Sequence, residues 1–318
     1  MKNKISVNIL IPAYNAEKTI VNCLQSVFEQ DYDNIQIIII NDGSTDSTDK
    51  LLKEISVEHK NIKVLKQTNH GLAYTRKALI DKASADYLVN LDADDTLTDK
   101  YSISNLINAS HNGQDQMVCG KRNLVKDNKT RSLFIGSCFS KRANIKKYSF
   151  RTLGFCTGIL ISTKFIQKHF NFDIHYGCAE DRMLMFSISP YIERFSAINK
   201  YVYNYFVNSD SMTHSSKHYR ICNEDWKNVN DFLKLSTSKS LKQDKFVEKL
   251  RRIFVFDCLA NALNRIKYMT SKEKNDTILQ IKEVLHSNNR KFTRPSGYWR
   301  VLAYYFYFKP KYILKFKL

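Results

Sequence analysis

Apolar and polar positions in the first hundred residues follow two alternating periods. Residues 5–11 form a β-branched run and residues 35–40, IQIIII, an unbroken apolar one. The second has the pattern of a parallel strand buried on both faces. Between them, residues 16–30 place Ile20, Leu24 and Val27 on one helical face. Residues 44–55 open with Ser and Asp and carry Leu51, Leu52 and Ile55 as their apolar face, which predicts a second helix. A strand over 62–65, a helix over 71–82 and a strand over 86–91 continue the rhythm. The alternation predicts an α/β fold with a mostly parallel, doubly wound sheet.

Beyond residue 99 the pattern is mixed. Residues 117–125 and 131–135 suit antiparallel strands, and 181–189 suits a helix. After about Ser215 the character changes, and 225–235, 245–269 and 274–286 read as basic amphipathic helices. We therefore expect an α/β domain over 1–215 and a basic helical region over 216–318.

Charge sharpens that division. The chain has 318 residues and a formal net charge of +19, and residues 216–318 hold 23 Lys/Arg against 9 Asp/Glu. Such an excess favours a polyanionic partner: nucleic acid, anionic lipid or anionic glycan. Residues 287–318 contain Lys and Arg but no acid, and Tyr298, Trp299, Tyr304, Tyr305 and Tyr307 are interleaved with them. That composition suits a segment lying at a membrane surface. The alternative is a helix packed on the α/β domain or on an oligomer partner. The seven cysteines show no paired spacing, which suits reduced thiols in a cytoplasmic protein. The N-terminal MKNKISVNILIPAYN is a poor signal peptide, and no apolar run is long enough to span a bilayer.

Chemistry concentrates where the predicted strands end, the edge at which open α/β sheets bind ligands. The first strand runs into IPAYN (11–15), the second into NDGSTD (41–46), the third into NHG (69–71) ahead of Arg76, and the fourth into LDADD (91–95). Taken singly, Asp42–Gly43 could be a turn and Asp46 a helix cap. A second acid pair, Glu180–Asp181, could sit at a helix N-terminus for the macrodipole alone. No G-x-G-x-x-G follows the first strand, which argues against a dinucleotide-binding fold. No nucleic-acid-binding motif occurs either.

Together these segments resemble the family 2 glycosyltransferases, nucleotide-sugar-dependent enzymes of the GT-A fold, over roughly residues 5–214. The resemblance implies that Pro12, Ala13 and Tyr14 line the nucleotide base pocket. Asp42 would accept a hydrogen bond from uracil, Asp92 would face the ribose or the metal, and Asp94 would bind Mn²⁺ or Mg²⁺. It further implies that Asp181 is the general base, so that transfer inverts the anomeric centre. SDSMTHS (209–215) resembles the segment that closes over the diphosphate, with His214 as a metal or phosphate ligand. GFCTG (154–158) sits where the family places an acceptor-side loop. The family often has Ala-Arg-Asn after the glycine, whereas this chain has Thr75-Arg76-Lys77, so only Arg76 is carried over. The Gln-x-x-Arg-Trp motif of processive synthases is absent. The expectation is a single-addition enzyme using a UDP-sugar and a glycan or lipid-linked acceptor in surface polysaccharide synthesis. It would sit peripherally on the inner face of the cell membrane and not bind nucleic acid. A non-catalytic nucleotide-binding scaffold and a nucleic-acid-binding basic protein are the rival readings.

Overall fold

The computed structural model describes residues 4–127, 129–133, 155–170 and 180–207, with isolated positions among 270–279. The elements below belong to the first of two compact units, Met1–Arg251. In chain order they are β1 (Val7–Ala13), α1 (Ile20–Phe28), β2 (Ile35–Asp42), α2 (Thr48–Glu58), β3 (Ile62–Gln67), α3 (Leu72–Lys82), β4 (Tyr87–Asn90) and β5 (Thr96–Leu97). Next come α4 (Ser102–Asn108), β6 (Met117–Lys126), β7 (Lys129–Leu133), β8 (Ile159–Ser162), α5 (Thr163–His169), α6 (Glu180–Ile188) and β9 (Phe195–Phe206).

One nine-stranded sheet runs in the order β3-β2-β1-β4-β8-β6-β9-β5, with β7 paired to β6. Its first four strands are parallel. The apolar runs read from the sequence are these strands, and every residue of β1 and β4 is buried. The second half of the sheet is mixed. β8 is antiparallel to β4 and β6, whereas β6 and β9 are parallel to each other.

Helices α1 and α2 begin later than the sequence pattern suggests, for a local reason. The backbone N–H groups of Ala16 and Glu17 are taken by Thr48 Oγ1 (2.8 Å) and Asp46 Oδ2 (3.1 Å). Gly43 has φ +72°, and Ser44 donates its N–H to Asn41 Oδ1 at 3.0 Å. Residues that would start each helix are thus used to tie the first loop to the second. Helix α1 then buries Ile20, Cys23, Leu24 and Val27, the i, i+3, i+4, i+7 stripe of an amphipathic helix.

The expected helices over 225–235 and 245–269, nearly all of 274–286, the boundary near Ser215, the 287–318 tail and His214 lie outside the described residues. Among the described residues no helix is long and apolar enough to cross a membrane.

Candidate active site

The sheet reverses its winding direction between β1 and β4, and the carboxyl ends of β1, β2 and β4 open on the same edge. Two loops form one rim. Asn15, in the left-handed region at φ +49°, accepts the Thr45 N–H through its Oδ1 at 2.8 Å. Its own N–H donates to Ser44 Oγ at 3.0 Å. Tyr14 stands at this rim 51% exposed, while Pro12 and Ala13 are buried in β1 beside Ile40 and Asn41.

Asp42 closes the neighbouring loop. Its Oδ1 accepts from Gln67 Nε2 and from the His70 N–H, and its Oδ2 from the Gly71 N–H, each at 2.8 Å. It thereby fixes the chain leading into α3, whose first turn starts after Gly71 at φ +88°. Gly43 also serves this joint: a Cβ there would stand 2.8 Å from Asn69 N.

Arg76 is the hub. Helix α3 carries it inward beside Thr75, Leu79 and Ile80, and it is 1% exposed. One guanidinium nitrogen, Nη2, lies 3.1 Å from Asp92 Oδ1, 3.6 Å from Glu180 Oε1 and 3.6 Å from Asp181 Oδ1. Nε and Nη1 are buried with no hydrogen-bond partner among the described residues. Burial opposes the charge, but the neighbouring carboxylates of Asp92, Asp181 and Glu180 outweigh it, so Arg76 stays protonated.

Near that cation Asp92, Asp94 and Glu180 are held above their usual range. Burial, with the nearby Asp92 charge, pushes Asp94 up to about 6. Burial and the adjacent Asp181 push Glu180 up to about 8 against the pull of Arg76. Asp92 is raised by burial and by Asp181, again opposed by Arg76. Mutually repelling carboxylates with raised pKa values cluster at functional sites. No cationic side chain among the described residues offsets the charge of Asp94, and its hard oxygens suit Mg²⁺ or Mn²⁺. No three His, Cys, Asp or Glu side chains among the described residues form a ready-made metal cluster.

Asp95, the third acid of LDADD, has a structural task. Its Oδ2 accepts from Tyr203 Oη at 2.6 Å and its Oδ1 from the Phe206 N–H at 2.9 Å. The acidic loop is thereby bolted to β9. Tyr203 Oη also accepts the Asp92 N–H at 3.3 Å.

Three participants escaped the sequence reading. Cys156, fully buried, brings its Sγ to 2.7 Å from Asp181 Oδ1. Arg122, 3% exposed, lies between the rings of Phe155 and Tyr203 and donates to the Thr157 carbonyl. Tyr203 is the last. The lone signal for the first was its place inside GFCTG. Arg122 and Tyr203 sit in strands whose mixed polarity announces nothing.

The segments predicted to converge therefore do so in part. Arg76, Asp92 and Asp181 meet directly, Asp94 follows in the same loop, and Asp42 and Tyr14 flank them. The model of one family, described as glycosyl transferase family 2, matches residues 8–178. The chain belongs to that family. Glycosyltransferase GlyA of Streptococcus pneumoniae serotype 4 is 35% identical over 95 residues, covering 30% of this chain and 14% of its own length. A teichoic acid poly(glycerol phosphate) polymerase of Staphylococcus epidermidis is 25% identical over 301 residues, covering 89% of this chain and 40% of the polymerase. The chain thus spans well under half the length of these two relatives. Among solved structures, S. aureus TarS 1-349 in complex with UDP-GlcNAc superposes with a TM-score of 0.60 at 16% identity, covering 91% of this chain and 93% of that one. The mannosyltransferase PcManGT of Pyrobaculum calidifontis, in complex with GDP-Man and Mn²⁺, gives 0.54 at 14% identity, covering 97% and 82%. The fold is that of the GT-A glycosyltransferases, and the family 2 domain marks this chain as a glycosyltransferase.

Proposed function

We propose that this glycosyltransferase moves one sugar from a UDP-sugar to a hydroxyl of a glycan or lipid-linked glycan, with inversion. The observation that carries the reading is the Arg76 hub. A single buried cation joins Asp92, on the donor side, to Asp181, on the acceptor side, at 3.1 and 3.6 Å.

In this reading Asp181 takes the proton of the acceptor hydroxyl. The freed oxygen attacks the anomeric carbon, the bond from that carbon to the diphosphate breaks, and UDP leaves with the bonding pair. Arg76 keeps Asp181 and Asp92 from repelling each other apart, which fixes the base against the donor. Tyr14 offers its exposed ring to the base, and Asp42 its remaining lone pairs. Asp94, with Asp92, would hold a divalent cation, and His214 would add a ligand to it or to the phosphates. Bound there, Mn²⁺ or Mg²⁺ would supply Lewis-acid stabilisation of the departing diphosphate. The UDP-GlcNAc bound by TarS supports the choice of a uridine donor. The basic C-terminal third, with its aromatic tail, supports a peripheral place on an anionic membrane.

Asp181→Asn tests the base. A well-placed general base contributes roughly 10²- to 10⁴-fold. Acceptor-dependent UDP release should fall by that order while UDP still binds. Loss of both together would make Asp181 structural and refute the assignment.

A further inference from the structure

The β6–β7 hairpin carries a charged face that the reaction described above leaves unused. Strand β6 runs parallel to β4, and Val118 and Val89 both pair with Leu160, so they stand level. β4 ends at Asn90, whereas β6 continues to Lys126. At about 3.3 Å per residue, the hairpin projects roughly 20 Å past the edge where the acids sit. Its base is fixed to the acidic loop: Asn123 Nδ2 donates to Asn204 Oδ1 (2.9 Å), and Asn204 Nδ2 to Thr96 Oγ1 (3.1 Å).

Strand alternation puts Arg122, Leu124 and Lys126 on one face. Across the pair, Leu124 stands opposite Arg131 and Lys126 opposite Lys129, on the same face. Leu124, Lys126, Asp127, Lys129 and Arg131 together line a cavity of about 260 Å³. Among its described lining residues three cations meet one acid, and all three cations are exposed. Asp127 occupies the turn at φ +50°. The sequence continues the theme: from residue 128 to 172 there are nine Lys/Arg and no Asp or Glu. The same face leads inward to Arg122, whose charge reaches Asp92.

We infer that this hairpin face is an acceptor subsite, built to hold a chain bearing repeated phosphate groups while its terminal hydroxyl reaches Asp181. The inference rests on the glycosyltransferase reading of the site. A membrane surface is the weaker occupant, because residues 117–133 contain no aromatic side chain to enter a bilayer and the face is concave.

The test compares the full chain with Lys126→Gln/Lys129→Gln/Arg131→Gln. The probes are a fluorescent hexameric oligo(glycerol phosphate), a neutral glucose hexamer, and vesicles of phosphatidylglycerol and phosphatidylcholine. The variant should bind the phosphate oligomer at least about tenfold more weakly at low salt. The slope of log affinity against log salt should fall by roughly two, since each phosphate neutralised by a cation contributes about 0.7–0.9 to it. Vesicle binding and stabilisation by UDP should be unchanged. The charge-preserving Lys126→Arg/Lys129→Arg/Arg131→Lys should restore oligomer binding. Unchanged oligomer affinity would overturn the proposal. Equal weakening toward vesicles would overturn it in favour of a membrane contact. Asp181→Asn separates the two layers: it should abolish transfer and leave oligomer binding intact. If Asp181→Asn still transferred sugar, the catalytic reading would fall, while the oligomer result would still decide the subsite.

Discussion

Replacing Arg76 by Met should destabilise the protein strongly, and more at pH 8 than at pH 5. The side chain is 1% exposed and Nη2 sits 3.1, 3.6 and 3.6 Å from three carboxylates. At an effective dielectric of about 20, each pair is worth roughly 5 kcal/mol of gross attraction. Desolvating the guanidinium cancels most of it. What survives the subtraction is the cost of stranding buried charges, about 3–5 kcal/mol when one partner of a buried pair is removed. For a domain of this size that corresponds to roughly 10 °C in Tm. The pH dependence distinguishes charge from packing. Glu180 already titrates near 8 with Arg76 in place, and Asp92 is raised too. Without the cation both rise further, so at pH 5 they are neutral and little charge is stranded. At pH 8 the unfolded chain has released both protons, so the folded variant must either hold them against the pH or strand the charges. Urea unfolding of Arg76→Met and wild type at both pH values measures the difference. A loss below about 1 kcal/mol, or one equal at pH 5 and 8, would refute the hub as an electrostatic device.

The remaining predictions concern single joints. Glu180→Gln should flatten the fall of stability with pH. The native carboxyl, raised from 4.5 to about 8, holds a proton that the unfolded chain has released, so wild-type stability declines as pH rises between those values. Thermal unfolding across pH 5–8 checks the sign, and an unchanged slope contradicts it. Gly43→Ala should cost about 2 kcal/mol, from the φ of +72° and a Cβ only 2.8 Å from Asn69 N, read by urea denaturation. A neutral result would mean the loop can shift away from α3.

The parallel half of the fold was legible because buried parallel strands are written as uninterrupted apolar runs, such as IQIIII. The other half was not. β8 is four residues long, ILIS, and α4 and α5 are seven each, too short to show a period. β9, FSAINKYVYNYF, alternates burial irregularly because part of it serves the sheet and part serves the acidic loop. The candidate acids were visible because carboxylates after apolar strands violate the surrounding pattern. Their partners were not, since Tyr203 meets Asp95 across 108 residues and Cys156 meets Asp181 across 25. The division of labour within LDADD was equally hidden. Only the pairing of Asp95 with β9 shows that it anchors the loop.

The most direct measurement is thermal unfolding of the full chain with UDP, GDP or CDP, each with and without Mn²⁺. A ligand at about 100 times its Kd adds roughly 2.7 kcal/mol, a shift of several degrees. Stabilisation by UDP that requires Mn²⁺, and that Asp94→Ala removes, is the expected result. Stabilisation by UDP that is indifferent to Mn²⁺ and survives Asp94→Ala would contradict a metal-dependent site. Absence of a response to all three nucleotides would contradict the donor assignment itself.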